Sequence, residues 1–216
     1  LLHLPGSWQA QLPDYYGCVR SIDQCVGRVI QTLKEQNLLE NTIVAFISDH
    51  GCHFKTRNAR YKQSPHDSSI RIAFAFQGPG FDHSTQLKEV VSMIDLTPTL
   101  LSAAGVTIPE SMKGHNLMPL ITSPQARQEW DNTAYIQINS KVIARAIRTQ
   151  EWCYCVADTT VNGENVPSSM SYQEYVLYNL DSDPAQLTNL IGREDYKSVS
   201  RDRKAQLQRR MIAAGE

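Results

Sequence analysis

The sequence lacks the features that mark three large classes of protein. No apolar run approaches the ~18 residues of a membrane-spanning helix. Neither sign of charge is in excess, because the sequence has 21 Lys and Arg residues and 22 Asp and Glu residues, which gives a net charge of -1. This balance argues against a strongly basic nucleic-acid surface, although it allows a local anion site. The five cysteines are an odd number without metal-like spacing, so they predict neither a disulfide framework nor a zinc site.

A signal peptide is also not indicated at the start of the sequence. The first residues, LLHLPGSWQAQLP, have no basic region and no cleavage-type end, and they read like the middle of a longer protein. The chain has 216 residues, of which 41% are hydrophobic and 20% charged, which is ordinary for a globular protein with a sizeable core. The cysteine content leaves the redox compartment open.

What the first part of the sequence does have is the pattern of an α/β layer. Between Tyr15 and Glu35, apolar residues recur three and four apart, which predicts an amphipathic helix with one core-facing stripe and with Asp14 as its N-cap. The runs at 42–48 and 70–76 are β-branched and almost wholly apolar, as in strands that are covered on both faces. A helix followed by buried strands is typical of α/β sheets.

The next block, VVSMIDLTPTLLSAAG, predicts a short strand that ends at Ile94 and then a helix. Asp95 is a suitable cap for the start of this helix, and Gly105 is a suitable residue to end it.

The pattern changes in the second part of the chain. Four short, partly alternating runs (TAYIQI, KVIARAIRT, EWCYCVA and YVLYNL) are separated by turn residues and predict an antiparallel sheet. Lys197 to Ala214 is predicted as a final helix. In the third of these runs, Cys153 and Cys155 are expected to be core residues rather than a redox pair. We therefore predict a partial layered α/β domain over residues 1–125 and a small antiparallel sheet with a packed helix over residues 126–216.

The polar stretch after the first predicted strand is the strongest candidate for chemistry. In open α/β sheets, ligands bind beyond the carboxyl ends of strands, and Ser48-Asp49-His50-Gly51 follows such an end. Asp offers a hard oxygen donor and His a nitrogen, and Gly51 lets the backbone turn without a Cβ clash. The alternative is an ordinary Asp-initiated turn, and spacing alone leaves both interpretations open.

Several blocks together resemble one family. The segment that ends in ISDHG is similar to the segment that ends in the metal motif of type I sulfatases, which belong to the alkaline-phosphatase-like superfamily. KQSPHDSSIRIAFAFQGPG, VVSMIDLTPTLLSAAGVTIP, MKGHNLMPLI and LYNLDSDPAQLTNLIG resemble later blocks of the family, in the family's order. The resemblance implies an alkaline-phosphatase-like fold and a sulfuric ester hydrolase.

The resemblance also implies roles for individual residues. Asp49 and His50 fall on the pair that helps to bind a divalent cation, usually Ca2+. Lys62 falls on the lysine that contacts the sulfate, although by itself it could be an ordinary solvated lysine. A compact ammonium suits a leaving oxygen that gains negative charge. Arg71 is expected to be a packing or ion-pair residue, and Arg148 a structural one.

Two further histidines are left open. His66 stands where a subset of the family carries histidine. A functional His66 would line the substrate pocket or act on the leaving group, and the alternative is an ordinary surface histidine. We include His66 with Lys62 as a catalytic candidate. His53 either orients a metal-binding side chain through a hydrogen bond or is exposed.

Part of the family's machinery is absent from this sequence. The nucleophile motif Cys/Ser-x-Pro-x-Arg, whose Cys or Ser becomes formylglycine, does not occur, because the nearest string, Ser182 to Gln186, lacks the arginine. The family's first metal-binding aspartates are also absent, and His3 is a poor match for its upstream histidine. We therefore expect a C-terminal portion with an incomplete metal shell and no turnover of its own.

Three hypotheses for the function follow. In the first, the full protein hydrolyses a sulfated small molecule or carbohydrate, with the missing N-terminal half as partner and with neither nucleic acid nor a membrane span involved. In the second, it is a phosphonate or phosphodiester hydrolase of the same superfamily. In the third, the chain is a non-catalytic folded module.

Overall fold

The computed structural model describes residues 7–81 and 84–216, so the prediction for His3 lies outside the described residues. The chain forms two compact units. The first unit contains Leu1–Lys62 and Ser68–Gln86, and the second contains Gln63–Asp67 and Leu87–Glu216. The predicted boundary between residues 125 and 126 stays a prediction.

The first unit begins with a long helix. Helix α1 spans Ser7–Glu35 and runs through Pro13. The predicted helix is therefore confirmed, whereas the prediction of Asp14 as N-cap is wrong because the helix starts upstream of it. Pro13 is the seventh residue of the helix, so its missing N–H leaves the carbonyl of Gln9 without its usual i+4 donor in the helix.

The apolar stripe of α1 is only partly buried. Val19, Ile22 and Val29 are 45%, 52% and 57% exposed, while Val26, Ile30 and Leu33 are half-buried. The prediction of a core-facing stripe thus holds for only one part of the helix within the described residues.

Two short strands complete the regular structure of the first unit. Strand β1 spans Val44–Ile47 and strand β2 spans Phe74–Gln77. They pair antiparallel, with Val44 opposite Gln77. The second strand begins later than predicted, because Asp67–Ile70 form a single helical turn, α2.

The second unit contains short helices ahead of its sheet. They are α3 at Leu96–Ala103, α4 at Met118–Thr122 and α5 at Pro124–Glu129. The predicted strand that ends at Ile94 is wrong, since Met93–Asp95 form a 3-10 turn.

The side chain of Asp95 explains this turn. Its carboxylate accepts hydrogen bonds from the backbone N–H groups of Ser92 (2.7 Å) and His115 (2.8 Å). These bonds hold the backbone in a turn that directly precedes α3, and the reciprocal contact between Ser92 and Asp95 is a capping box.

A four-stranded antiparallel sheet forms the centre of the second unit, as predicted. Its strands follow one another in chain order, as in a meander. They are β3 Thr133–Asn139, β4 Ile143–Thr149, β5 Trp152–Asp158 and β6 Gln173–Asn179.

The predicted final helix, α6, spans Lys197–Ala214 and packs on one face of this sheet. Leu207 of α6 is buried in a cluster with Tyr154 and Leu177, and Met211 packs against the same cluster. The opposite face of the sheet has a second buried cluster, which contains Cys153 and Cys155. Both faces of the sheet are therefore covered, which explains why β5 is buried along its whole length.

The two buried cysteines are unpaired core residues, as predicted. Burial raises the pKa of the Cys153 thiol to about 12 and that of Cys155 well above 9.0. Both therefore remain protonated near neutral pH, so neither is a thiolate nucleophile. Among the described residues, no helix is long and apolar enough to cross a membrane.

Candidate functional site

The candidate site lies where the chain leaves strand β1. Gly51 donates its backbone N–H to the carbonyl of Ser69 at 2.7 Å. A Cβ on Gly51 would lie 2.3 Å from the carbonyl oxygen of Ser68. Only glycine permits this approach of two backbone segments, so Gly51 fixes the turn that carries Asp49 and His50.

Three of the predicted site residues come together at this turn. His50 Nε2 lies 3.1 Å from Asp49 Oδ2, and the Lys62 ammonium nitrogen contacts the same Nε2 atom. The Asp49 side chain is 77% exposed and that of His50 is 39% exposed. A carboxylate, an imidazole nitrogen and an ammonium group thus converge on a point that solvent and ligands can reach.

The two ring nitrogens of His50 have different neighbours. Its Nδ1 lies 2.9 Å from the carbonyl oxygen of Gly51, which can only accept a hydrogen bond. Nε2 contacts the ammonium of Lys62, which can only donate. With the hydrogen on Nδ1, the imidazole would present Nε2 as an acceptor beside Asp49 Oδ2, and this is the tautomer that binds a metal ion through Nε2.

These residues fit part of a cation shell. The Asp49 carboxylate oxygen lies 3.1 Å from His50 Nε2, and the Lys62 ammonium, which contacts the same Nε2, already places positive charge beside these two possible ligands. Carboxylate oxygen is the ligand preferred by Ca2+, whereas imidazole suits softer divalent ions. Within residues 7–81 and 84–216, no group of three or more His, Cys, Asp and Glu side chains could hold a metal, so a cation at Asp49 and His50 would need further ligands.

A short loop stabilised by His53 holds Lys62 in place. The His53 backbone N–H bonds the Tyr61 carbonyl at 2.8 Å, and His53 Nε2 lies 3.2 Å from the Lys62 carbonyl. His53 is only 2% exposed, so the alternative of an exposed histidine is wrong. Burial lowers the pKa of His53 below its ordinary value of 6.5, and the side chain is neutral near neutral pH.

His66 belongs to the second compact unit. It is 8% exposed, which excludes the alternative of a surface histidine, and its Nε2 lies 3.2 Å from the Tyr178 hydroxyl. Arg71, expected to pack or to pair, is exposed. Arg148 forms an ion pair with Asp67 at 3.0 Å, in agreement with its predicted structural role.

Of two residues next to the candidates, His53 was predicted only as one of two alternatives and Tyr178 was not predicted at all. His53 carried only a weak signal, its position three residues after His50. Tyr178 is 112 positions from His66 in the sequence, and nothing in the LYNL block indicates such a partner. Both contacts depend on tertiary structure rather than on a motif.

Two protein-family models match this sequence. The family model Sulfatase matches residues 5–106, and the model "N-sulphoglucosamine sulphohydrolase, C-terminal" matches residues 60–213. Arylsulfatase K from Canis lupus familiaris is 29% identical over 88% of this chain and 35% of its own length. The chain thus spans about a third of the length of this curated relative.

Solved structures share the fold. A Bacteroides fragilis protein assigned to the sulfatases (yidJ) has a TM-score of 0.81 at 23% identity, over 99% of this chain and 45% of that one. A protein in complex with its substrate D-glucosamine-2-N,6-O-disulfate has a TM-score of 0.70 at 21% identity, over 90% and 39%. The phosphonate monoester hydrolase of Agrobacterium radiobacter has a TM-score of 0.73 at 22% identity, over 90% and 40%.

These similarities confirm a partial alkaline-phosphatase-like fold. Because one family model alone matches residues 60–213, more than half of the sequence, the chain belongs to the type I sulfatase family, of which it covers the C-terminal part.

Proposed function

We propose that this chain is part of a hydrolase that cleaves sulfate esters, and that Asp49, His50 and Lys62 are its share of the active site. The observation that carries the proposal is that the Asp49 carboxylate and the Lys62 ammonium both lie against His50 Nε2 at the end of β1. An ordinary Asp-initiated turn does not require a lysine from 12 residues further along to contact the histidine.

Each of these side chains has a distinct task. Asp49 and His50 would hold a divalent cation, Ca2+ or another, which would polarise the sulfate oxygens when bound. Lys62 places a compact, strongly hydrated positive charge beside them. Negative charge grows on the leaving oxygen as the S–O bond breaks, and an ammonium positioned there before the reaction stabilises that charge.

The rest of the machinery would come from outside this chain. The sequence contains no Cys/Ser-x-Pro-x-Arg motif, so a formylglycine nucleophile would be supplied by another part of the protein, together with the remaining cation ligands. We therefore expect the chain by itself to be inactive. The match to only 35% of the length of Arylsulfatase K supports this view.

His66 is proposed as a second catalytic residue. Its burial and its single orientation against Tyr178 suit a side chain that must be held in one place, since catalytic groups act only within narrow geometric limits. A histidine titrates near neutral pH and can transfer a proton to a leaving group.

A sulfated sugar is the substrate class that we propose. The model that matches residues 60–213 is named for a sulphohydrolase of N-sulphoglucosamine. A protein of the same fold was solved with a disulfated glucosamine. Both similarities support a carbohydrate substrate over other sulfate esters.

The test is an activity assay of the full-length protein, expressed together with a formylglycine-generating enzyme. It compares an aryl sulfate, a sulfated glucosamine and a phosphonate ester as substrates. Lys62→Ala is expected to lower kcat/KM for the sulfates by roughly 100-fold or more, and Asp49→Ala by at least as much. Lys55→Ala is the matched control, because Lys55 is an exposed lysine of the same loop that lies over the Tyr61 ring. Sulfatase activity that survives Asp49→Ala undiminished would refute the metal role.

A phosphonate or phosphodiester hydrolase is the second candidate. The fold similarity to a phosphonate monoester hydrolase, with a TM-score of 0.73, supports this second candidate. Both activities need a cation, a lysine and an anionic ester, so the residues of this chain are compatible with either. A kcat/KM for the phosphonate ester that exceeds the value for both sulfates would select this candidate.

A further inference from the structure

Three neighbouring side chains form a row across the sheet of the second unit. Arg148 on β4 lies opposite Cys153 on β5, and Cys153 lies opposite Tyr178 on β6. Directly opposed residues of antiparallel strands have their side chains on the same face. Cys153 and Tyr178 both belong to the buried cluster on the face opposite α6. We call Arg148, Cys153 and Tyr178 the sheet row.

Each residue of the sheet row contacts one residue of the segment 65–67. The Sγ of Cys153 donates to the carbonyl of Pro65 at 3.2 Å. The Tyr178 hydroxyl lies 3.2 Å from His66 Nε2. Residues of three different strands thus contact three consecutive residues of the segment, the last of which is Asp67.

Asp67 has the strongest attachment to the sheet row. Arg148 donates from Nε (3.3 Å) and from Nη2 (3.0 Å) to the two carboxylate oxygens of Asp67. Such a two-point guanidinium–carboxylate contact fixes orientation as well as distance. The backbone N–H of Asp67 also donates to Gln186 Oε1 at 2.7 Å, and Gln186 is 2% exposed.

The imidazole of His66 is therefore restricted on several sides. Its neighbours on both sides in the chain are bonded to the sheet, and its ring packs against Tyr178 with centroids 5.3 Å apart. The Tyr178 hydroxyl contacts one of the two ring nitrogens, so it influences both the orientation of the ring and the position of its proton.

We infer that Tyr178 and Arg148 are positioning residues, through which the C-terminal sheet sets the orientation of His66 for catalysis. The inference rests on the proposed catalytic role of His66. Tyr178 acts through its hydroxyl on the imidazole, and Arg148 acts through Asp67 on the backbone that carries His66. The C-terminal sheet thus contributes to the reaction through His66.

The experiment is a double-mutant cycle in the full-length protein, assayed on an aryl sulfate. The variants are Tyr178→Phe, which keeps the ring but removes the hydroxyl, His66→Ala, and both together. Tyr175→Phe is the matched control, because Tyr175 lies on the same strand and is 47% exposed. The measured quantities are kcat, KM and the midpoint of thermal unfolding.

Positioning through His66 predicts a specific pattern. Tyr178→Phe lowers kcat by about 3- to 10-fold and leaves KM unchanged, but it has no further effect once His66 is alanine. Arg148→Lys retains more of the kcat than Arg148→Met, since lysine keeps the charge on Asp67.

Two results would overturn the inference, and they can be told apart. An equal fall in kcat on Tyr178→Phe in both backgrounds would mean that Tyr178 acts on the fold and not through His66. If His66→Ala itself leaves kcat at the wild-type value, the catalytic role of His66 is refuted as well. In that case the Lys62 and Asp49 variants still test the rest of the proposed function.

Discussion

The imidazole of His53 supports the Lys62 backbone, with Nε2 placed 3.2 Å from the Lys62 carbonyl oxygen. The side chain of Lys62 in turn contacts His50. A buried histidine thus stabilises the position of the lysine that we propose as a sulfate contact, and the lysine lies beside the proposed cation ligands. The buried His53 side chain therefore supports the backbone of Lys62 without being part of the exposed site itself.

The first prediction concerns this support. His53→Phe keeps a ring of similar size but removes the bond to the Lys62 carbonyl, so the loop that carries Lys62 should loosen. We expect the free energy of unfolding to fall by about 1–3 kcal/mol and kcat/KM of the full-length protein to fall with it. Lys55→Ala, at the exposed lysine of the same loop, should change neither. An unchanged kcat/KM in His53→Phe would show that Lys62 does not need this support.

The second prediction is a pH dependence of stability that arises from His53. Burial lowers its pKa in the folded protein below 6.5, so below that pH the unfolded chain takes up a proton that the folded protein does not. Stability should therefore fall as the pH drops from 6.5 toward the folded-state pKa and should level off below it. Above 6.5 both states are neutral and His53 contributes no pH dependence.

The measurement for this second prediction is denaturant unfolding of the wild type and of His53→Phe between about pH 8 and about pH 5. The difference between the two proteins cancels the other titrating groups. A difference that stays constant over this range would contradict the prediction.

Local patterns account for the part of the fold that the sequence predicted well. Helix α6 ends where Gly215 adopts a left-handed conformation with φ 90°, a signal that is visible in the sequence. The four strands of the sheet were predictable because their apolar runs are short and separated by turn residues. The antiparallel pairing of β1 with β2 was not predicted, because no local pattern distinguishes the direction of two strands that are separated by a long loop.

The third prediction tests the close approach at Gly51. Gly51→Ala would place a Cβ 2.3 Å from the Ser68 carbonyl oxygen, and backbone on both sides must move. We expect a loss of about 1–3 kcal/mol in the free energy of unfolding and displacement of Asp49 and His50. Gly17→Ala is the control, since a Cβ there meets nothing within 4 Å and alanine favours a helix by about 1 kcal/mol. Equal stability of Gly51→Ala and wild type would contradict the geometry described for this turn.

The fourth prediction concerns a buried ion pair at the end of α6. Arg145 is 1% exposed and its Nε lies 2.6 Å from Glu216 Oε2. Gly215 and the bond from the Glu216 N–H to the Met211 carbonyl, 2.9 Å, return the chain toward the sheet. Burial raises the pKa of Glu216, but the hydrogen bond and the charge of Arg145, together with hydrogen bonds from Gln137 and Tyr135, outweigh this, and the pKa lies below 4.5.

Removing either partner of this pair leaves the other charge unpaired. We expect Arg145→Met and Glu216→Gln each to cost roughly 2–3 kcal/mol of unfolding free energy, less than a fully buried pair because Glu216 is partly accessible. The double variant should cost much less than the sum of the two. Strict additivity in denaturant unfolding would show that the two side chains do not stabilise one another.

The candidate site was predictable only where a motif marks it. Asp49, His50 and Lys62 belong to blocks that are visible in the sequence, and the structure brings these three together. The roles of His53 and Tyr178 could not be read in the same way, since each depends on a contact between residues that are distant in sequence or hidden by burial. The partial exposure of the α1 stripe was also not visible, because an amphipathic pattern shows an apolar face but not whether that face is covered.

The most direct test of the central proposal is calorimetric titration of Ca2+ into the full-length protein and into its Asp49→Ala variant, with Asp181→Ala as an exposed control. If Asp49 and His50 hold the cation, the wild type and the control should bind Ca2+ alike, and Asp49→Ala should bind at least about 10-fold more weakly. Equal Ca2+ affinity in all three proteins would contradict the proposed cation site at the end of β1.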